Sequence, residues 1–557
     1  MDRMYYFHPE NAPATHARNM PRWPRRAIDN SLATIGPAKN PGPVAPSPCQ
    51  AVDNHHHHPP QRSASAGGDG EKDPFHSLTP SSSGETGIVA TVEASTPKMK
   101  SRVLRSMPLR RATSVATATT TTTRSPAAAA ASAVRAASSV SQRPHSDYVS
   151  FPGALKSAFT STLKYEVPES YQALPTYRVV DQHGEVVDQS FTPDITDEQV
   201  VKLYKDMLYI SIMDLIMFDA QRQGRLSFYM VSAGEEAVSV GSSSVLDPED
   251  PVYCQYREQG FFKERGFTTK EFMSQLFANK NDTGKGRNMP IHYGSGRLNI
   301  HTISSPLATQ LPQASGAGYA LKMQRLQDPN SKPKVAICFF GEGAASEGDF
   351  HAAMNIAATR SCPVVFICRN NGYAISTPTL EQYRGDGIAS RGIGYGIDTI
   401  RIDGNDIWAV RESVKKAREM ALQDGGKPVL IECMTYRVSH HSTSDDSFAY
   451  RARVEVEDWK RRDNPITRLR KWMEAKGCWD EAKEKETRDV LRKEILRGFS
   501  EAEKEKKPAL RTMFEDVYED LTDDLKGQMR ELKDMLDKYP NEYDVSEYDG
   551  GKDSLKE

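Results

Sequence analysis

The sequence is short of long apolar runs, paired cysteines and net charge. No run of 18 or more apolar residues is present, so we expect no membrane-spanning helix and no membrane insertion. The seven cysteines form no Cys-x-x-Cys pair and are odd in number, which favours reduced thiols over a disulfide scaffold or a zinc site. The 72 basic and 74 acidic side chains leave a net charge of -2, which gives no reason to expect a nucleic-acid partner. We therefore expect a soluble intracellular protein whose 557 residues form at least two folding units, or one unit with tails.

The first part of the chain has a composition that does not favour folding. Residues 1–145 are rich in Ser, Thr, Ala, Pro and His, with hardly any apolar periodicity. Such a stretch cannot bury enough surface to offset its ordering entropy, so we expect a disordered N-terminal region. The four histidines at 55–58 could bind a transition metal, but a low-complexity tract without a ligand is the favoured alternative.

The segment 99–145 has the composition of a mitochondrial transit peptide. The first acid after Met99 is Asp147, and eight basic residues come before it: Lys100, Arg102, Arg105, Arg110, Arg111, Arg124, Arg135 and Arg143. This composition predicts import into the mitochondrial matrix, with a basic disordered arm as the alternative. Residues 1–98 contain acids such as Asp2 and Glu10, which would spoil a signal that must act at the N-terminus. Our hypothesis is that translation starts at Met99 and that 1–98 are a gene-model extension, which N-terminal sequencing of the precursor would test.

Folded chain is expected from about residue 150 to 545. We assign an N-terminal arm to 146–194, an α/β domain to 195–452 and a helical C-terminal region to 453–557. Thr196 and Gln199 have the spacing of a capping box at a helix start. A Gly- and polar-rich stretch runs to about 315, and apolar strands at 335–340, 363–368, 400–402 and 428–436 then alternate with helical patterns at 345–359 and 407–421. This alternation favours a mainly parallel sheet with helices on both faces.

Two glycine-containing turns follow the first two of these strands. Gly341-Glu342-Gly343 ends one strand and Asn370-Asn371-Gly372 ends the next, and a strand–helix–strand crossover brings such ends together. Glycines allow backbone amides to approach a phosphate, and carboxylate and amide oxygens suit Mg²⁺. We therefore expect Glu342 and Asn371 to hold a magnesium diphosphate. The first motif alone could equally be a tight turn, and Gly348 falls too late for a dinucleotide fingerprint.

The spacing of these motifs resembles the thiamine-diphosphate signature, with Glu342 where most such enzymes have Asp. Twenty-six residues, 344–369, separate the two motifs. Longer strings resemble the alpha subunits of the branched-chain 2-oxoacid dehydrogenase family: FGEGAASEGD (340–349), CRNNGYAISTPT (368–379), EQYRGDGIASRG (381–392), RIDGND (401–406) and HHSTSDDSFAYR (440–451). The resemblance runs from about residue 170 to the C-terminus. It implies the thiamine-diphosphate-binding fold and oxidative decarboxylation of the 2-oxo acids derived from Val, Leu and Ile.

The resemblance also implies a set of site residues. Glu342, Asn371 and the Tyr373 carbonyl would bind Mg²⁺, while Ser304, Pro306, Thr309 and Gln310 would bind K⁺. The thiamine-diphosphate contacts would be Gln255, Tyr256, Arg257, Ser305, Leu307, Gly341, Glu342, Gly343, Ala344, Arg369, Asn371, Tyr373, Ala374, Ile375 and His441. His441 and Ser305 would be catalytic, and Phe228, Tyr256 and Leu307 would contact the substrate.

The segment after His440 resembles the regulatory loop of this family. Ser442 matches the serine that a dedicated kinase phosphorylates, and a phosphatase would reverse the modification. The family's second phosphoserine falls on Ala452, so that site is absent. The resemblance further implies that Arg437, Asp445 and Tyr450 order the loop that receives a lipoyl arm.

One required group is absent from the expected α/β domain. Thiamine diphosphate needs a carboxylate against its aminopyrimidine ring, and about 400 folded residues leave little room for a second α/β domain to supply it. The resemblance implies that a beta subunit provides it in an α₂β₂ heterotetramer, which passes the acyl group to a lipoyl-bearing dihydrolipoyl transacylase core. An alpha subunit of a pyruvate-type enzyme, which typically has GDG, stays as the alternative. A non-catalytic scaffold subunit is the rival from another class, and the intact metal and diphosphate positions argue against it.

Overall fold

The protein is described here by a computed structural model that covers residues 147–149, 151 and 153–556. The segments 1–98 and 99–145, the histidines at 55–58 and Cys49 lie outside the described residues. The other six cysteines carry free thiols, as predicted from their number and spacing. None of the helices in the described part of the chain has the length and apolar character needed to cross a bilayer.

A seven-stranded, wholly parallel sheet forms the centre of the fold. Its strand order is β3-β10-β11-β7-β6-β4-β5. The strands are β1 (Tyr148–Val149), β2 (Ser157–Ala158), β3 (Thr176–Tyr177), β4 (Val252–Tyr253), β5 (Ile300–His301), β6 (Ala336–Gly341), β7 (Val364–Asn370), β8 (Tyr373–Ala374), β9 (Thr377–Pro378), β10 (Asp398–Asp403) and β11 (Pro428–Met434). The remaining four form two small antiparallel pairs, β1 with β2 and β8 with β9. The predicted parallel sheet is confirmed.

Helices cover the sheet on both faces. They are α1 (Asp197–Arg222), α2 (Glu236–Ser243), α3 (Gln259–Glu264), α4 (Thr269–Leu276), α5 (Gln310–Gln327), α6 (Gly348–Arg360), α7 (Thr379–Gln382), α8 (Ala389–Gly394), α9 (Ile407–Ala421), α10 (Arg453–Arg462), α11 (Pro465–Ala475), α12 (Glu481–Glu503) and α13 (Asp523–Lys538). Along β6, Ile337 and Phe339 enter one hydrophobic core, and Cys338 and Phe340 enter another. Successive strand residues point to opposite faces, so a continuous apolar strand is what a sheet covered on both sides requires.

The local sequence signals were confirmed at several element boundaries. Thr196 and Gln199 form the predicted capping box of α1, with both reciprocal hydrogen bonds present. The helix predicted at 407–421 is α9, and the charged C-terminal stretch is helical from α10 onward. The stretch before residue 315 holds more structure than its sequence indicated. It contains α2, in which every residue is buried, and the two-residue strands β4 and β5, and neither kind of element produces an amphipathic period.

The C-terminal helices belong to three different packing groups. Leu469 and Trp472 of α11 pack in one core with Trp408 of α9. Ile495 and Phe499 of α12 lie in the same core as Ile337 of the sheet. Residues after α12 form a small separate cluster around Leu510, Met529 and Leu536. The main core therefore includes part of the helical C-terminal region.

Candidate active site

The carboxyl ends of β6 and β7 lie side by side. Gly341 at the end of β6 is in register with Arg369 in β7, so the residues that follow each strand are neighbours. The Asn371 backbone N–H donates to the Glu342 carboxylate at 3.2 Å. The meeting of the two glycine-containing turns, predicted from the strand–helix–strand pattern, is confirmed.

A cavity opens at these strand ends. It is lined by Gln255, Tyr256, Arg257, Leu307, Gly341, Glu342, Gly343, Ala344, Glu347, Arg369, Asn371, Tyr373, Ala374, Ile375, Gln382 and His441. Every cofactor contact implied by the resemblance is in this lining except Ser305. Glu347 and Gln382 also line the cavity and were not expected from the sequence.

A carboxylate and an amide side chain lie close together at the floor of the cavity. Glu342 is 2 % exposed, and burial, with a smaller contribution from Glu235, raises its pKa to about 7. The Asn371 side-chain oxygen accepts from the Tyr373 N–H at 3.3 Å within the turn after β7, next to the Glu342 carboxylate on the turn after β6. Among the described residues, no cluster of three or more His, Cys, Asp or Glu side chains could hold a metal ion. A cation at this floor would therefore bind a mixed set of carboxylate, amide and backbone oxygens, which is the donor chemistry that Mg²⁺ prefers.

Glu235 is a central residue that the sequence analysis missed. It is fully buried and accepts from the Asn371 side-chain amide at 3.0 Å and from an Arg369 Nη1–H, and its carboxylate lies 3.7 Å from Arg257 Nε. By accepting from the amide nitrogen, it fixes which way the Asn371 oxygen points. The sequence feature that pointed to Glu235 is the pair Glu235-Glu236 at the start of an otherwise uncharged helix. An uncharged helix is typically buried, and buried carboxylates need partners.

The two arginines of the cavity are already paired with carboxylates. Arg369 donates from Nε to Glu258 and from Nη2 to the Gln255 side-chain oxygen at 3.4 Å, in addition to its bond with Glu235. Two arginines and the two carboxylates Glu235 and Glu258 therefore balance each other in the buried floor. We call Glu235, Arg257, Glu258, Glu342, Arg369 and Asn371 the strand-end cluster.

A loop at residues 437–451, named here the His441 loop, covers one side of the cavity. Arg257 Nη2 donates to the His441 carbonyl at 2.8 Å and lies 3.5 Å from its ring Nδ1. Burial, followed by the charges of Arg257 and Arg437, lowers the His441 pKa to about 3. The imidazole is therefore neutral at physiological pH and has a ring nitrogen that can accept a hydrogen bond.

A small polar network holds the His441 loop in shape. Arg437 Nη2 donates to the Tyr450 hydroxyl at 2.7 Å, and this hydroxyl donates to Asp445 at 2.7 Å. The same carboxylate oxygen accepts from the His441 backbone N–H at 2.7 Å. Arg437, Asp445 and Tyr450 are therefore in contact in the way that a loop-ordering role requires. Ala452 lies just beyond the loop as the N-cap of α10, where it makes no side-chain capping bond.

The remaining expected residues are not part of the cavity lining. The Ser305 hydroxyl is 2.8 Å from Nε2 of His292, and Leu307, two residues further on, lines the cavity. Gln310 donates its side-chain amide to the Phe339 carbonyl at 2.9 Å, which ties the 304–310 segment to β6. Phe228 is half-buried and packs against the core. Ser304, Pro306 and Thr309 lie on the same 304–310 segment, and Ser442 is half-buried in the His441 loop.

Comparison with known proteins gives one consistent family. The model of the Dehydrogenase E1 component family matches residues 204–511. The chain is 50% identical over 403 residues to the Caenorhabditis elegans mitochondrial 2-oxoisovalerate dehydrogenase subunit alpha, covering 72% of this chain and 92% of that protein. The Homo sapiens protein of the same name is 48% identical over 412 residues, which are 74% and 90% of the two chains. The Arabidopsis thaliana mitochondrial 2-oxoisovalerate dehydrogenase subunit alpha 1 is 50% identical over 394 residues, which are 71% and 82%. With identity this high over most of both chains, and with the family model spanning six of the seven sheet strands and the cavity lining, the chain belongs to the Dehydrogenase E1 component family.

Proposed function

We propose that this chain is the alpha subunit of a branched-chain 2-oxoacid dehydrogenase, 3-methyl-2-oxobutanoate dehydrogenase (2-methylpropanoyl-transferring). The observation that carries the proposal is the cavity at the ends of β6 and β7, lined by all but one of the cofactor contacts implied by the sequence. The names of the relatives, all 2-oxoisovalerate dehydrogenase alpha subunits, favour this reading over the pyruvate-type alternative. The same names, which include "mitochondrial", support a location in the mitochondrial matrix.

The family depends on thiamine diphosphate, and the strand-end cluster fits that group bound with Mg²⁺. Glu342 and Asn371 would hold the ion by their side chains and Tyr373 by its carbonyl, while Arg257 and Gln255 would face the diphosphate. Bound thiamine diphosphate supplies the electron sink that makes loss of carbon dioxide from a 2-oxo acid feasible. K⁺ would bind the loop of Ser304, Pro306, Thr309 and Gln310 and stiffen the approach to Leu307.

The chain's own residues would position the substrate beside the cofactor. His441 is neutral, and its backbone is fixed by Arg257 and Asp445, so its ring would accept a hydrogen bond at the cavity wall. Ser305 would contact the thiamine, and Tyr256, Leu307 and Phe228 would form the apolar surface for the branched chain. An apolar pocket discriminates by only about 1–3 kcal/mol per methylene, so selectivity over straight-chain acids should be moderate.

A beta subunit would complete the site in an α₂β₂ heterotetramer. The cavity lining has one buried carboxylate, Glu342, and the proposal assigns it to the metal. The carboxylate that serves the aminopyrimidine ring would therefore come from the partner. The acyl group would pass to a lipoyl arm of the dihydrolipoyl transacylase core, received by the His441 loop. A kinase and a phosphatase acting on Ser442 would switch this loop, because a phosphate adds about two negative charges beside His441.

The test is the initial rate of thiamine-dependent decarboxylation by residues 146–557 co-expressed with the candidate beta chain. We expect a strong preference for 3-methyl-2-oxobutanoate over pyruvate, and no activity from the alpha chain alone. A preference for pyruvate would overturn the substrate assignment and leave the cofactor site standing. Activity without the beta chain would overturn the shared site.

A further inference from the structure

The His441 loop is tied to a neighbouring stretch of chain on either side of Ser442. We call residues 228–233 the wall segment, because Phe228 at its start is the proposed apolar wall for the substrate. Before Ser442, the Val438 N–H donates to the Ala233 carbonyl at 3.2 Å, and Arg257 bridges the two stretches by donating to the Val231 carbonyl and to the His441 carbonyl. After Ser442, the tie is made by Thr443.

Thr443 is buried in the contact between the loop and the wall segment. It is 2 % exposed, while its neighbour Ser444 is exposed. Its backbone N–H donates to the Tyr229 carbonyl at 3.1 Å. Its hydroxyl donates to the same carbonyl at 3.2 Å and accepts from the Tyr229 N–H at 3.3 Å. One buried hydroxyl therefore satisfies both polar groups of a single wall residue.

The wall segment is fixed on its other side by α1. The Tyr229 hydroxyl donates to Asp214 at 2.7 Å, and the Ser232 N–H donates to the same carboxylate at 2.8 Å. Gln259 holds the Met230 carbonyl from α3 at 3.2 Å. Helices α1 and α3 belong to the main core, so they hold one side of the wall segment firmly. The opposite side is held by hydrogen bonds from the His441 loop.

We infer that Thr443 is a positioning residue whose hydroxyl couples the His441 loop to the wall segment and so sets the place of Phe228 against the aliphatic chain of the substrate. The inference rests on the proposed function and goes beyond it, because it makes binding of the 2-oxo acid depend on the loop. A rearrangement at Ser442, the residue between the two ties, would then reach the substrate wall as well as the surface that receives the lipoyl arm.

The experiment compares Thr443→Val and Thr443→Ala with Thr443→Ser in the co-expressed heterotetramer. Val keeps the shape of threonine and lacks the hydroxyl, Ala lacks both the hydroxyl and the methyl, and Ser keeps the hydroxyl. Agreement between Val and Ala separates loss of the hydroxyl from a fault in packing. Ser444→Ala is the matched control, since that side chain is exposed and next in sequence.

Two readouts are taken. The first is KM and kcat for 3-methyl-2-oxobutanoate with an artificial electron acceptor, which removes the lipoyl arm from the assay. The second is amide hydrogen exchange of residues 228–233 in the substrate-free protein. Without the Thr443 hydroxyl, the buried Tyr229 N–H has no acceptor, which destabilises the wall segment. We therefore expect a KM about tenfold higher for the Val and Ala variants, a smaller change in kcat, and faster hydrogen exchange in the wall segment. Thr443→Ser and Ser444→Ala should stay close to wild type.

The outcomes separate this inference from the proposed function. If the wild-type protein does not decarboxylate the branched acid, the proposed function fails. If the wild type is active and the Val and Ala variants match Thr443→Ser in both KM and exchange, only the role of Thr443 is overturned. An equal KM with a large fall in kcat would also overturn it, because the hydroxyl would then act on the reaction and not on the wall.

Discussion

The strand-end cluster and the His441 loop face the same cavity but are constructed differently. Every member of the cluster is at least nine-tenths buried, and its two arginines are paired with Glu235 and Glu258 in contacts between β7 and the turns before α2 and α3. In the loop, Arg437, Thr443, Ser447 and Arg451 are buried, while Ser444, Asp446 and Phe448 are exposed. The charged groups of the cluster are thus enclosed in the core, whereas the loop combines buried anchoring side chains with an exposed tip. Under the proposed function, this difference assigns cofactor binding to the cluster and regulation to the loop.

The largest effect is expected from Glu235→Gln in the cluster. The amide would present a donor to the Asn371 amide and to Arg369 and would leave a buried positive charge unbalanced. We expect a loss of about 3 kcal/mol in stability and a 10- to 100-fold weaker affinity for Mg²⁺ with thiamine diphosphate, measured by denaturant unfolding and calorimetry.

Glu236→Gln is the matched control for that change. Burial raises the Glu236 pKa to about 8, so its side chain is mostly uncharged at neutral pH and resembles glutamine. Equal losses in the two variants would show that Glu235 has no special place in the cluster.

A smaller effect, confined to the loop, is expected from Asp445→Asn. The Tyr450 hydroxyl and the His441 N–H would lose their charged acceptor, and a hydrogen bond to a charged group contributes about 1.5–3 kcal/mol. Limited proteolysis within 437–451 should accelerate, and acyl transfer to a lipoyl domain should fall, while cofactor affinity is retained.

The exposed Asp446 offers a control with the same change of charge. Asp446→Asn should leave proteolysis and acyl transfer near wild type. A fall in cofactor affinity in Asp445→Asn would break the distinction between cluster and loop.

The His441 imidazole predicts how stability depends on pH. Its folded pKa of about 3 lies below the ordinary value of 6.5, so the unfolded chain takes up a proton that the folded chain does not. Stability is then lost as the pH falls below about 6.5, by at most about 1.4 kcal/mol per pH unit. The unfolding free energies of wild type and His441→Gln are measured from pH 7 to pH 5. Wild type should lose stability relative to the variant as the pH falls. A difference that stays constant would show that the His441 ring is solvated in the folded protein.

The smallest effect is expected from Ala452→Ser at the start of α10. Serine would supply the capping hydroxyl that Ala452 lacks, for a gain of about 0.5–1 kcal/mol in unfolding free energy. Ala449→Ser, on the exposed tip of the loop, is the control and should change stability little. No gain in Ala452→Ser would mean that the first backbone N–H groups of α10 do not donate to a serine cap.

The same two regions show how far the sequence alone reaches. β6, β7 and α9 were predictable because each is a long element with a continuous or periodic apolar pattern, and the strand ends then brought Glu342 and Asn371 together. Glu235 was not predictable in the same way, because its partners Arg369 and Asn371 lie 134 and 136 residues away. The hydrogen bonds between Thr443 and Tyr229 join residues that are 214 positions apart in the chain, and no local sequence pattern indicates them. Contacts of this kind follow from the tertiary fold rather than from periodicity.

The measurement that tests the central claim most directly is calorimetric binding of thiamine diphosphate to the co-expressed heterotetramer, with and without Mg²⁺. It is made on wild type and on Glu342→Ala, with the exposed cavity residue changed in Glu347→Ala as control. We predict that wild type and Glu347→Ala bind tightly only with Mg²⁺, and that Glu342→Ala loses this Mg²⁺-dependent affinity. Retained affinity in Glu342→Ala would contradict the assignment of the strand-end cluster as the metal and cofactor site.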